Sequence, residues 1–182
     1  ERIHGIGIAD SADLGFAGVR QDVPDPESAP VLVDEFRRSA LEPLFLVGGF
    51  ADLREPLTAG QMADTTAAIA NWMLLLGVWG AIEIGNEPDA ANGCGAEQFG
   101  YIVCQCAERA WALHSAIPIV VGGITTTSAP GMDYLADALR TIVINVGWPE
   151  ALKVGYHSYR TTQTPAWPHP PFRSRANESG AL

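Results

Sequence analysis

The chain has 182 residues, which is long enough for one well-buried domain and too short for two. Its hydrophobic content of 47% and charged content of 18% exclude a disordered or fibrous protein. The net charge of -10 argues against a surface for nucleic acid or anionic membrane, because phosphate binding needs clustered Lys and Arg. We expect a single domain, 1–182, with a neutral partner.

Two features bear on compartment and cofactors. No apolar run reaches the roughly 18 residues that span a bilayer, and the first residues lack the pattern of a signal peptide. The chain begins with Glu1 rather than Met, so the compartment stays open. Cys104 and Cys106 lie two residues apart in a predicted helix, which is wrong for a shared metal. We therefore expect core thiols, no metal and no cofactor.

The N-terminal part contains two strand-like runs. Residues 3–8 are a possible short strand, but Asp10 stands where a dinucleotide fingerprint requires its third glycine. Residues 15–24 form the next run and carry Arg20 and Asp22. Too few residues separate the runs for a parallel crossover, which needs about a dozen. Whether residues 3–8 form a barrel strand therefore stays open.

Strands and helices alternate through the rest of the chain. Apolar periodicity predicts helices at about 27–40, 58–76 and 95–115 and another after residue 128, with strands at 44–47, 81–87, 117–121 and 152–159. The apolar stripes expected to face the core are Leu32, Phe36 and Ala40 in the first helix, Ala63, Ala67, Ala70 and Leu74 in the second, and Met132, Leu135, Ala136 and Leu139 in the fourth.

This alternation predicts an α/β fold with a mainly parallel sheet. Four strands start at residues 44, 81, 117 and 153, about 36 residues apart, which suits a doubly wound sheet or a barrel. Polar residues recur at several strand ends, which favours a (β/α)8 TIM barrel. A complete barrel needs eight units and about 250 residues. With at most six strands, we expect an incomplete barrel.

The stretch from Ala81 to Asp89 reads as a strand that delivers a carboxylate. Ile82 and Ile84 alternate at the period of a strand, and Pro88 must end it. On this interpretation Glu83, Gly85 and Glu87 share one face. Glu87 would then lie at the C-terminal rim, where barrel enzymes place their chemistry.

Residues 84–88 read Ile-Gly-Asn-Glu-Pro, and His157-Ser158-Tyr159 follow two strands later. Together these motifs resemble clan A of the glycoside hydrolases, which are retaining (β/α)8-barrel enzymes such as family five cellulases and family thirty-nine enzymes. The resemblance covers roughly residues 15–175. One departure is Gly48-Gly49-Phe50, which stands where many family five enzymes carry a His.

The resemblance implies a role for each motif residue. Glu87 would be the general acid/base, and Asn86 would contact the sugar 2-hydroxyl. His157 and Tyr159 would reach the sugar at the bond to be cleaved, or the nucleophile. Arg20 resembles the Arg that closes strand two and orients the nucleophile. That nucleophile would be a Glu on strand seven, beyond the chain end, so we expect the parent protein to be a glycosidase and this chain alone to be inactive.

Physical chemistry leaves alternatives open. Retaining cleavage needs an acid and a second carboxylate roughly 5 to 5.5 Å apart. Glu83 reads as an interior structural carboxylate paired with an Arg, and Arg20 fits that role as well as the catalytic one. A non-catalytic carbohydrate-binding barrel, an inactive fragment and a metal-dependent barrel enzyme are the other hypotheses. We expect a carbohydrate partner and make no prediction about oligomeric state.

Overall fold

A computed structural model describes residues 17–49, 51–90, 93–124 and 129–155. Strands and helices alternate strictly within these ranges. The possible strand at 3–8 and the residues His157 and Tyr159 lie outside the described residues. The elements are β1 (Gly18–Val23), α1 (Ala29–Ser39), β2 (Glu42–Val47), α2 (Thr58–Leu76), β3 (Ala81–Ile84), α3 (Ala96–Leu113), β4 (Ile119–Val121), α4 (Ala129–Val146) and β5 (Leu152–Val154).

The five strands form one parallel sheet in the order β1-β2-β3-β4-β5. This order follows the chain, with a helix between each pair of neighbours. A doubly wound sheet reverses its strand order at a switch point, and the described strands have no such reversal. The predicted α/β class with a parallel sheet is confirmed, and the arrangement is consistent with part of a TIM barrel.

The two faces of the sheet differ in burial. One face carries apolar side chains that are almost completely buried among the helices, as in the edge-to-face contact of Phe36 with Phe45 at 5.2 Å between ring centroids. The opposite face carries polar groups. Asp22, Leu46 and Glu83 share one register row there, because paired residues of parallel strands point to the same side.

The first three helices begin and end within two residues of the predicted bounds, and α4 begins after residue 128 as predicted, but the predicted stripes are partly wrong. Leu74 and Met132 are 53% and 48% exposed, and Ala40 and Ala136 are exposed as well. The predicted Phe36, Ala63, Ala70 and Leu135 are buried, as expected. The helices also bury positions outside the predicted stripes, which are Val33 in α1, Met62, Thr66, Ile69 and Met73 in α2, and Ala138 and Ile142 in α4. No helix in the described part of the chain is long and apolar enough to cross a membrane.

Strand β3 is shorter than predicted. It ends at Ile84, whereas the sequence pattern extends to Glu87. Gly85 has a φ of 76° and Glu87 a φ of 51°, and both values lie in the left-handed region. Strand alternation therefore stops at Ile84, and it does not place Glu83, Gly85 and Glu87 on one face as predicted.

Candidate active site

An ion pair joins the interior of two non-adjacent strands. Nε of Arg20 donates to Oε2 of Glu83 at 2.6 Å across the intervening strand β2. The Glu83 side chain is only 4% exposed, so its charge needs a partner in place of water. The predicted pairing of Glu83 with an Arg is confirmed.

The same guanidinium also contacts the segment that follows β3. Nη2 of Arg20 donates to Oδ1 of Asn86 at 2.9 Å. Arg can make both bonds because its planar group carries five donors in a fixed fork. Since the Asn86 oxygen accepts from Arg20, its Nδ2 amino group is the part that can donate to a ligand. The structure therefore brings Arg20 and Asn86 together next to Glu87.

The backbone of Glu87 is fixed by its neighbours. Its N–H donates to the Gly123 carbonyl at 3.0 Å, and its own carbonyl accepts from the Ala90 N–H at 2.9 Å. A φ of 51° is uncommon for a residue that is not glycine and costs on the order of 1–3 kcal/mol. Such strain persists only where surrounding contacts hold it, and it is enriched at functional sites. The half-buried Glu87 side chain thus starts from a constrained backbone.

Asp22 is a neighbouring carboxylate to which the sequence pattern assigned no role. It lies two residues after Arg20, and hence on the same face of β1. Its Oδ1 is buried and has no hydrogen-bond partner in the part of the chain that the structure covers. Burial raises the pKa of Asp22 above its usual value, and the Gly49 N–H and the Arg20 charge oppose this shift. The spacing from Arg20 was a usable sequence signal.

Glycine at position 49 leaves room for the Asp22 carboxylate. A Cβ there would lie 2.7 Å from Oδ1 of Asp22 and 2.8 Å from Cδ2 of Leu46. The exit of β2 therefore leaves room for the Asp22 carboxylate because residue 49 has no side chain.

A tyrosine from α4 contacts the loop after Glu87, and no sequence signal identified it. The Tyr134 hydroxyl lies 3.1 Å from the Pro88 carbonyl oxygen and 3.0 Å from that of Cys94. Burial, followed by the neighbouring Cys94, raises the pKa of Tyr134 far above its usual value, so the hydroxyl keeps its proton.

The described residues contain no metal-binding cluster, and the cavity beside α3 is not lined by the candidate site residues. Within residues 17–49, 51–90, 93–124 and 129–155, no group of three or more His, Cys, Asp and Glu side chains could hold a metal ion. A cavity of about 340 Å³ lies between α3 and the loop that precedes α2, and Arg20, Asn86 and Glu87 are not among its lining residues. It is lined by Leu53, Glu55, Pro56, Ala59, Glu97, Gln98, Tyr101, Ile102 and Gln105.

Comparison with known proteins finds a distant structural likeness. No family model matches the chain, and no curated protein matches it. Among the solved structures, the exo-beta-1,4-mannosidase Op5Man5 from Opitutaceae bacterium strain TAV5 is similar, with a TM-score of 0.48 and 16% sequence identity. The match covers 60% of this chain and 26% of that chain. This likeness is too distant to assign a family or an activity.

Proposed function

We propose that this chain is part of a retaining glycoside hydrolase in which Glu87 is the general acid/base. The observation that carries the proposal is the hydrogen bond from Arg20 to Asn86 at 2.9 Å. It holds an amide and a guanidinium together at the residue that precedes Glu87, at the C-terminal edge of a parallel sheet. That edge is where barrel enzymes bind substrate, and these residue types suit a sugar.

The order of the sheet supports a barrel as the complete fold. Five parallel strands follow one another in chain order, as successive strands of a (β/α)8 barrel do. If β1 is the second barrel strand, β3 is the fourth and β5 the sixth. This numbering agrees with the resemblance to clan A, in which Asn-Glu-Pro follows strand four and His-x-Tyr ends strand six.

The proposed chemistry divides the work between two carboxyl groups. Glu87 would protonate the leaving oxygen and then take a proton from the attacking water. Asn86 would donate from Nδ2 to a sugar hydroxyl, and His157 and Tyr159 would contact the same sugar. Arg20 would stabilise the ionised form of the nucleophile. The nucleophile would be a Glu on a further strand, roughly 5 to 5.5 Å from Glu87.

The test uses the full translation product of the gene and a panel of aryl glycosides. Replacing Glu87 with Gln should lower kcat by about 10²–10⁴-fold for a poor leaving group, the usual contribution of general acid/base catalysis. A dinitrophenyl leaving group needs no proton, so bond cleavage in this variant should be far less affected. Glu108→Gln on the exposed side of α3 is the matched control and should retain full turnover.

The alternatives give different results. Full turnover by Glu87→Gln would reject the assignment of the acid/base. Oligosaccharide binding without hydrolysis, measured by calorimetry, would indicate a non-catalytic carbohydrate-binding barrel. Activity only with an added divalent metal would favour a different barrel enzyme.

A further inference from the structure

The loop after Glu87 is closed on itself by backbone hydrogen bonds. The Cys94 N–H donates to the Pro88 carbonyl at 3.2 Å, and the Ala90 N–H donates to the Glu87 carbonyl at 2.9 Å. Gly93 allows this tight closure, because a Cβ at that position would lie 1.7 Å from the Pro88 oxygen. The two ends of the loop, Pro88 and Cys94, therefore lie side by side.

Two aromatic residues from different helices support this segment. Phe99 of α3 lies against Gly85, where an added Cβ would be 2.8 Å from Cε2 of the Phe99 ring. Tyr134 of α4 lies 6.3 Å from Phe99 between ring centroids, and its hydroxyl contacts the carbonyls of Pro88 and Cys94. Phe99 therefore contacts the chain two residues before Glu87, and Tyr134 contacts it one residue after Glu87.

We propose that Tyr134 is a positioning residue for Glu87. Its hydroxyl joins the two ends of the Pro88–Cys94 loop to α4 and so holds Glu87 in its left-handed conformation, next to Asn86. Tyr134 acts through the loop and not on the sugar. This inference rests on the proposed function, since it assigns Tyr134 a part in orienting the proposed acid/base.

The hydroxyl suits this role over the whole working pH range. Because burial raises its pKa, it stays protonated and remains a donor. Phe99 is fully buried and supports Gly85 by packing alone, so it cannot replace this bond. Removing the Tyr134 hydroxyl removes the one proton that the Pro88 and Cys94 carbonyls share. Among the described residues, the Cys94 N–H then remains as the donor to the Pro88 carbonyl.

The first test measures hydrogen exchange and needs no activity. In Tyr134→Phe, the Ala90 and Cys94 amides should exchange about tenfold faster relative to the Ile82 amide of β3. Tenfold corresponds to about 1.4 kcal/mol, within the range for one lost hydrogen bond. Tyr101→Phe, which removes a hydroxyl from a half-exposed ring on α3, is the matched control and should leave these ratios unchanged. A general loss of stability would speed exchange at Ile82 as well, so the ratios to Ile82 report local opening of the loop.

The second test measures kinetics on the active full-length protein. Tyr134→Phe should lower kcat about tenfold with KM unchanged, because Tyr134 orients an acid without binding the sugar. The loss should be largest for poor leaving groups, which depend most on the acid. A rise in KM with kcat unchanged would reject the positioning role, as would unchanged exchange ratios. If the wild-type protein hydrolyses no glycoside, the proposed function fails, and the exchange ratios alone decide whether Tyr134 holds the loop.

Discussion

Arg20 and Glu83 form a 2.6 Å ion pair that spans β2 and links the first and third strands of the sheet. The Glu83 carboxylate is buried, while the Arg20 side chain is 37% exposed and also reaches Asn86. The Gly123 N–H approaches the other Glu83 oxygen at 3.4 Å. The Arg20 guanidinium therefore couples the position of Asn86 to a buried carboxylate.

Replacing Glu83 with Gln should lower the free energy of unfolding by about 1.5–3 kcal/mol, the range for a hydrogen bond to a charged group. The exposed pair of Arg140 and Asp137 is the control, and Asp137→Asn should cost less than about 0.5 kcal/mol because water screens it. Urea denaturation of both variants checks this. Equal losses would contradict the special role of the buried pair.

Asp22 should make stability fall as pH rises. Its pKa is raised above the ordinary 3.8, so the unfolded chain ionises first and the native state loses stability from about pH 4 up to the native pKa. Asp22→Asn should remove this loss. Relative to the wild type, the variant should therefore gain stability between pH 3 and pH 7, as measured by urea denaturation at both pH values.

Asp25 provides a control of opposite sign. Its carboxylate accepts from the backbone N–H of Ser28 at 2.8 Å and from its hydroxyl at 2.6 Å, and these bonds lower its pKa. Asp25→Ala should therefore be destabilising at neutral pH, with the difference shrinking below pH 4 as the wild-type carboxylate is protonated. Parallel pH profiles for the variants of Asp22 and Asp25 would contradict both assignments.

The helices and strands were well predicted because the signals that begin and end them lie within a few residues of each boundary. Apolar periodicity, Gly77 after α2 and the short connections are read within a few residues, and the parallel sheet follows from the alternation. The face of each helix was less predictable. In α2, apolar residues occur all around the last two turns, so the neighbouring helices decide that Met73 is buried and Leu74 exposed.

The site was predicted only in part, for a related reason. Arg20, Asn86 and Glu87 came from motifs, and Glu83 from its place in an apolar strand. The left-handed backbone at Gly85 and Glu87 depends on contacts with β4 and the helices, and strand alternation cannot reveal it. Tyr134 was missed because a half-buried tyrosine on an amphipathic helix resembles any other packing residue.

The three cysteines should differ in reactivity with an aromatic disulfide reagent. Burial raises the thiol pKa of Cys104 to about 11 and that of Cys106 to about 12, so both should stay unreactive in the native protein. Cys94 is half-buried, and its pKa is raised as well, so it should react slowly. We expect at most one thiol labelled per native chain and three after unfolding in urea. Fast labelling of two or more native thiols would contradict the burial of α3.

Gly122 should be one of the least tolerant positions near the site. An added Cβ would lie 2.1 Å from the Gly85 oxygen and 2.4 Å from the Ile84 oxygen, so β3 and β4 would have to separate. Gly122→Ala should lower the free energy of unfolding by roughly 2–3 kcal/mol, as overpacking does. It should also shift the NMR signal of the Glu87 amide, which bonds to the adjacent Gly123 carbonyl.

The matched control for this prediction is Gly60→Ala in α2. A Cβ at Gly60 meets no atom within 4 Å, and Ala is the better helix former, so the variant should gain about 0.5–1 kcal/mol. Its Glu87 amide signal should not move, because Gly60 lies on a different element from β3 and β4. Urea denaturation should therefore show a lower free energy of unfolding for Gly122→Ala and a higher one for Gly60→Ala. This difference would show that Gly122 is needed for the close approach of the two backbones, and that replacing a glycine is not destabilising in itself. A neutral Gly122→Ala with an unshifted Glu87 amide would mean that β3 and β4 are not packed this closely beside the site.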